Sequence, residues 1–314
     1  MQNLTIACVA AAMVLAPALG HAADQPLLGI VSISANEANN ARYIAGATAA
    51  AKEDGWAVSV VDASGSADQA NAAIQNFAGR GAGAIIDMVF PWSSIGAGLA
   101  AAKDANVPVV TWGGGLGGSV QATNGSGAPV AQPVIDRMVA DFGGKGSLLA
   151  LTYRTGEVCR NRETLMDGIL AKHPEIQVTK NEVRIPGYFE DGAQYANAWL
   201  ASHPAGDGKQ AVWGCWDDPA IGAIGALRQQ SRDDVAVYGV NGNAQAIDNI
   251  KNGHMTATAW EDSYKEGFQM VKLLKEIKAA GTRWTPKAVE VPAVLVTKET
   301  IDQFLKDHPD ATGK

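Results

Sequence analysis

Hydrophobic positions along this chain fall into two kinds of pattern. Short unbroken apolar runs alternate with longer stretches whose apolar residues share one helical face. PLLGIVSIS at 26–34, AVSVVDA at 57–63, AIIDMVF at 84–90 and VPVVTW at 107–112 are runs of the first kind and predict buried strands. Between them, 39–54, 66–77 and 95–105 predict helices, with Ser66 placed to cap a start and Gly55 to end a helix. A glycine-rich polar loop follows residue 112, and then the alternation restarts. Helices are predicted at 132–142, 160–172, 191–202, 219–229 and 244–252, and strands at 147–153, 176–183, 210–216, 234–240 and 255–260. A long amphipathic helix at 263–278, the run VEVPAVLVT and a last helix at 298–306 complete the chain.

Continuous β-branched runs between amphipathic helices predict parallel sheets covered on both faces. Two such halves, with no long linker, predict an α/β fold of two doubly wound parallel-sheet domains. Sheets of this type bind ligands beyond the carboxyl ends of their strands. Two of them facing each other would line a single cleft.

The first residues stand apart. LTIACVAAAMVLAPAL at 4–19 is apolar and short for a membrane span, and GHAADQP follows with Gly20 and Ala22 placed for a signal peptidase. Residues 1–22 are therefore read as a cleavable export signal, although the leading MQN lacks a cation. An uncleaved anchor is the main rival. A lipoprotein is disfavoured because Cys8 lies inside the apolar run.

Composition narrows the function. Of 314 residues 47% are hydrophobic and 18% charged, enough for a substantial core. The net charge of -7 argues against a nucleic-acid partner, which needs a basic face. The five histidines form no metal spacing, and no nucleophile elbow, Walker loop or zinc-protease motif is present, so neither metal nor cofactor nor catalysis is predicted. Gly113, Gly115 and Gly118 fit G-x-G-x-x-G, but they follow the fourth strand and open no helix. Dinucleotide binding is set aside; close backbone approach to a ligand and a flexible turn both remain open. Asp217–Asp218 could be paired catalytic carboxylates, but Asp218 is read as the cap of the helix from Pro219, and Asp217 as an acceptor pointing into the cleft.

The predicted strand ends carry the informative side chains. Glu37, Asn39 and Asn40 follow the first strand, Trp92 the third, and Trp112 and Gly113 the fourth. In the second half come Arg160 and Arg162, then Trp216 and Asp217, then Asn241, then Trp260. Carboxylates, amides and guanidinium groups fork onto hydroxyls, and indole faces stack on sugar C–H faces or hold a cation. Ordinary core packing is the competing reading for the eight tryptophans.

This layout resembles the type I periplasmic solute-binding proteins of the ribose/galactose class, the receptors of sugar ABC importers. The resemblance spans the mature chain. It rests on GIVSIS-x-N-E with Gly46 in the first helix, AIIDMVFP, ANVPVVT and DGILAKHPEIQV. Further on it rests on AVWGCWDDPAIGAIGAL, VYGVNGNAQAIDNIKNGHMTATAW and VLVTKETIDQFL. It implies two domains joined by three crossovers near Asn124, Glu261 and Glu290, closing around ligand by a hinge. The N-terminal domain would hold 24–124 and 261–289, and the C-terminal domain 125–260 and 290–314. It implies a small-molecule solute, an inner-membrane ABC permease as partner, a periplasmic location and a monomer. A sensor-type binding protein serving a kinase or chemoreceptor is the alternative.

By the same resemblance Glu37 and Asn40 match first-loop ligand positions, and Trp216–Asp217 match an Asn-Asp pair. Asn241 matches an Asp that holds sugar hydroxyls, and Trp260 a polar hinge residue. The sequence also departs from the family. An Asp-Arg pair is replaced by Gly113–Gly114, and an Arg expected near Leu165 is replaced by Arg162 one turn earlier. The first-loop aromatics give way to Asn39 and Asn40. A sugar, polyol, sugar acid or methylated amine therefore stays open. On this fold the strands 147–153 and 210–216 would be neighbours, which makes Cys159 and Cys215 a candidate disulfide; two separate buried thiols are the other reading.

Overall fold

The computed structural model describes residues 25–125 and 127–312. The expected signal at 1–22 lies outside them. The first half runs β1 (Leu27–Ser32), α1 (Ala38–Glu53), β2 (Ala57–Asp62), α2 (Ala67–Gly79), β3 (Ala84–Met88), α3 (Gly96–Asp104), β4 (Val109–Trp112) and β5 (Val120–Asn124). The second half runs α4 (Ala128–Phe142), β6 (Gly146–Thr152), α5 (Glu157–Leu170), β7 (Ile176–Glu182), α6 (Tyr188–Leu200), β8 (Gln210–Gly214), α7 (Asp217–Gln229), β9 (Val235–Asn241), α8 (Ala244–Lys251) and β10 (Ala257–Trp260). Then come α9 (Ser263–Ala280), β11 (Lys287–Ala288), β12 (Val294–Thr297) and α10 (Ile301–Asp307).

Among the described residues, twelve strands make two six-stranded sheets, ordered β11-β5-β4-β3-β1-β2 and β12-β10-β9-β8-β6-β7. Each is parallel except for β12, which runs antiparallel to β10. The apolar runs are buried on both faces, as at β3, β4 and β8, because helices cover each side. The chain passes from the first sheet to the second after β5, returns after β10, and crosses again between β11 and β12. All three passages lie at the same edge of each sheet, and the carboxyl ends of the strands face each other beside them.

Two matched helix pairs fix the layers. In the first domain α1 lies against α9, with Gly46 on the Tyr264 carbonyl and Gly267 on the Tyr43 carbonyl. In the second, α6 lies against α7, with Gly192 on the Pro219 carbonyl and Gly222 on the Phe189 carbonyl. A methyl group at any of these positions would collide with backbone.

Three local expectations are corrected. The stretch after Trp112 is not loop throughout: β5 pairs with β4 and β11, although its alternating VQATN, flanked by glycines, carries little apolar signal. Helix α4 starts at Ala128, because Pro129 sits in the first turn, where an amide has no helical acceptor to lose. Helix α7 starts at Asp217 with Trp216 as its N-cap residue and no side-chain cap.

Candidate ligand-binding site

A cavity enclosing about 520 Å³, its open mouth included, lies between the two sets of strand ends. The first domain contributes Ile33 and Ser34 after β1, Glu37 and Asn40 around the start of α1, Val89 after β3, Trp112 from β4 and Gly125 after β5. The second contributes Tyr153 after β6, Val158, Cys159 and Arg162 from α5, Ile185 after β7, Trp216 after β8 and Asn241 from β9. Glu261, directly after β10, completes the wall at the second passage.

Local folding aims several of these groups. Glu37 is the N-cap of α1, and its two carboxylate oxygens accept from the Asn39 and Asn40 amides at 3.1 and 2.8 Å. The orphan amides of a first turn thus anchor a carboxylate at the cavity edge. The Asn40 Nδ2 donates to the Ser34 carbonyl at 2.7 Å, tying the β1–α1 loop to the helix. Asn39 turns from the cavity and donates from Nδ2 to Glu261 Oε1 at 2.8 Å.

Arg162 is the buried cation of the site. Its Nη1 donates to the Cys215 carbonyl at 2.7 Å and to Asn241 Oδ1 at 2.9 Å, and Nε reaches the Gly127 carbonyl at 3.4 Å. Nη2 lies 3.6 Å from Glu261 Oε1. The guanidinium is therefore committed largely to the protein, while Glu261 Oε2 is buried with no hydrogen-bond partner.

Acidic groups outnumber this cation. Burial, reinforced by Asp218, pushes Glu37 up to about 8. Burial pushes Asp217 and Asp218 each up to about 7, Asp218 also feeling its neighbour Asp217. Burial raises Glu261 too, against the pull of Arg162. Desolvation lowers Arg162 despite this acidic company. The common cause is removal of charge from water without a matching countercharge. Carboxylates left this way favour a guest that donates hydrogen bonds.

Of the twelve residues singled out from sequence, the fold brings Glu37, Asn40, Trp112, Arg162, Trp216 and Asn241 to the cavity wall. The other six lie elsewhere. Trp92 is 40% exposed and rests on Gly117, outside the cleft. Gly113, with φ 70°, packs against Val158. Arg160 pairs with Glu157 along its own helix. Asp217 does not point into the cleft: it accepts from the Asn243 amide at 2.8 Å and from Thr258 Oγ1 at 2.6 Å. Nor does Asp218 cap α7; it accepts from Asn243 Nδ2 at 2.6 Å. Trp260 packs edge-on against Phe304, with the Arg42 guanidinium of the first domain 5.7 Å from its ring centroid, and does not line the cavity. Period-two alternation explains this last placement, since a strand that buries Trp260 on one face turns Glu261 to the other. That alternation was the available signal for Glu261. Nothing in the sequence marked Val89, Val158 or Ile185, ordinary apolar residues brought in by tertiary packing.

Two indoles reach the wall differently. Trp112 is held from behind by Tyr43, 4.9 Å between centroids, and by a 2.6 Å bond from Nε1 to Glu266 Oε2. Trp216 is packed edge-on by Tyr153 and Tyr188. Cys159 and Cys215 are joined by a disulfide, with Cα atoms 5.4 Å apart, tying the first turn of α5 to the end of β8. Glycines 113 and 115 adopt left-handed φ values of 70° and 78°, so the G-x-G spacing serves a turn. Among the described residues no cluster of His, Cys, Asp or Glu is arranged to hold a metal, and no helix is long and apolar enough to cross a membrane.

Two doubly wound domains, three passages at one edge and a cavity between the strand ends define a two-domain solute-receptor architecture. The chain belongs to the periplasmic binding protein domain family, whose model matches residues 29–282. It is 28% identical over 246 residues to the xylitol-binding protein of Mycolicibacterium smegmatis, covering 73% of this chain and 65% of that protein's length. Its fold matches an ABC transporter solute binding protein from Agrobacterium vitis with bound allitol, at TM-score 0.82 and 22% identity over 90% of this chain and 99% of that one. It also matches an ABC sugar transporter subunit from Rhodobacter sphaeroides, at TM-score 0.79 and 25% identity over 87% and 98%.

Proposed function

We propose that this protein is the periplasmic substrate-binding component of an ABC importer, with a neutral sugar or polyol as its solute. The observation that carries the reading is the surplus of buried acceptors in the cavity. Glu37 and Glu261 face a space where the Arg162 guanidinium is already bonded to protein, and Glu261 Oε2 is left with no hydrogen-bond partner. Hydroxyl groups supply donors, whereas the carboxylate of a sugar acid would bring a further buried acceptor and a charge that these raised carboxyls could not balance. The relatives' ligands, xylitol and allitol, are of this class.

Both domains contribute walls, so the solute favours the closed arrangement by contacts that the open one lacks. The closed monomer would then engage an inner-membrane permease. No catalytic role is assigned: the buried carboxylates are spent on structure and on acceptor duty. An indole-lined, acid-rich cavity also suits a methylated amine, through cation–π contact with Trp112 or Trp216.

A thermal-shift screen over pentoses, hexoses, polyols, sugar acids and quaternary amines tests this reading, because ligand bound to the native state raises Tm. Xylitol, allitol or another neutral member should shift Tm, and Asn241→Ala or Trp216→Ala should abolish that shift. A shift by quaternary amines alone would transfer the site to the second reading.

A further inference from the structure

Trp112 lines the cavity, but Glu266 and Tyr43, which hold it there, do not. Its indole N–H donates to Glu266 Oε2 at 2.6 Å, and its ring centroid lies 4.9 Å from that of Tyr43. Glu266 stands in the first turn of α9, a few residues after the second passage, and is 2% exposed. Its backbone carbonyl accepts from Asn124 Nδ2 at 3.1 Å, and Asn124 Oδ1 accepts from the Tyr43 hydroxyl at 3.3 Å. Asn124 ends β5 at the first passage. Trp112, Glu266, Asn124 and Tyr43 thus form a closed ring of contacts that joins the cavity wall to two of the three passages.

Gly125 supplies a second, independent observation. Its φ is 73°, and a methyl group there would fall 2.4 Å from Trp112 Nε1 and 2.5 Å from Cδ1. The backbone of the first passage therefore lies directly against the N–H edge of the indole. It is fixed there by the Asn124 carbonyl, which accepts from the Gly113 amide at 2.7 Å. A buried indole N–H needs an acceptor, and among the described residues Glu266 is the one it has. Glu266 Oε1 is buried with no partner, so the bond to Trp112 is the only one its carboxyl makes. Burying a carboxyl costs stability that a single hydrogen bond does not return in full, so stability is not what this bond supplies.

We infer that Glu266 is a positioning residue for solute binding: without lining the cavity, it sets the plane in which Trp112 offers its indole to the solute. This deepens the proposed function and rests on it. A directed bond at the far edge of the indole and the Tyr43 ring behind it together fix an orientation that packing alone would leave open to rotation. The carboxyl acts here as an acceptor, so an amide of the same shape keeps the role and a hydrocarbon loses it.

A double-mutant cycle on the intact protein tests this by isothermal titration with xylitol and allitol, or with whichever neutral solute shifts Tm most in the wider screen. Glu266→Leu should weaken binding by about tenfold, and Glu266→Gln should stay within about twofold of the parent. Trp112→Phe keeps an aromatic face but has no N–H to direct. In that background Glu266→Leu should change affinity by less than about twofold. Glu266→Met, which adapts more readily to the space, repeats the cycle should the leucine variant not fold. Three results overturn the inference and leave the proposed function standing. One is a lower Tm with unchanged affinity, the mark of a purely structural carboxyl. Another is an equal loss of affinity in both backgrounds. The third is a loss in Glu266→Gln as large as that in Glu266→Leu. If no neutral solute binds or shifts Tm, the proposed function fails and the inference fails with it.

Discussion

Arg162 of the second domain and Glu261 at the second passage lie 3.6 Å apart, each side chain only 2% exposed. Through Asn39, which donates to the same Glu261 oxygen, the pair reaches the first helix of the other domain. One guanidinium thus links both domains and the passage between them. Arg162→Ala would leave Glu261 and Asn241 buried with their partner gone, at a cost of about 3–5 kcal/mol. Arg162→Lys should not restore it, since a single ammonium cannot reproduce a fork onto the Cys215 carbonyl, Asn241 and Glu261. Urea unfolding of both variants checks this; full rescue by lysine would refute the geometric role.

Stability should fall as pH rises from about 5 to about 8. Glu37, Asp217 and Asp218 have raised values of about 8, 7 and 7 in the folded protein, so folding takes up protons between the ordinary carboxylate range and these values. The uptake favours the native state at the acid end of the window and is lost as pH climbs through the raised values. The combined effect is on the order of a few kcal/mol. Tm of the ligand-free protein, followed from pH 5 to 9, should decline, and Glu37→Gln should flatten the upper part of the slope. A Tm that climbs steadily across the window contradicts the burial argument.

The disulfide closes a loop with a sequence separation of 56 residues. Constraining the unfolded chain over that length gives about 2–4 kcal/mol. The Cys159→Ser/Cys215→Ser protein should lose stability by that amount in urea titrations. It should also bind solute more weakly, because Arg162 sits one turn beyond Cys159 on α5 and bonds to the Cys215 carbonyl. Equal stability and equal affinity would show that the bond does neither task.

Gly46→Ala should be more disruptive than its one added methyl suggests. The new Cβ would collide with the Tyr264 carbonyl of α9, so α1 and α9 must separate. Overpacking of this sort costs about 1–3 kcal/mol. Ala at Gly225, a helical position with open space around it, is the control and should be neutral or mildly stabilising. Equal behaviour of the two variants would dismiss the close crossing.

The strand runs, the helical faces and the two-domain order were legible because each is a local pattern repeated many times. The amphipathic face of 263–278 and the apolar run at 84–90 are signals that neighbours in sequence carry by themselves. Strand β5 was missed because VQATN owes its strand to pairing with β4 and β11. Half of the residues singled out at strand ends reached the cavity, since strand ends are where such sheets place ligands. Asp217 and Trp260 turned away because the face a side chain takes depends on register and on where the helix starts.

The alternation, the class of fold and the neighbourhood of the site therefore follow from hydrophobic period and turn chemistry, which neighbours along the chain carry. Which groups meet depends on packing between distant segments. Arg162 finds Glu261 across 99 residues, and Val89 is held at a strained φ by bonds to Trp112 and to Glu157 of the facing domain. Charge balance and apolarity inside a cavity are properties of groups brought together in space, and no one-dimensional pattern encodes them.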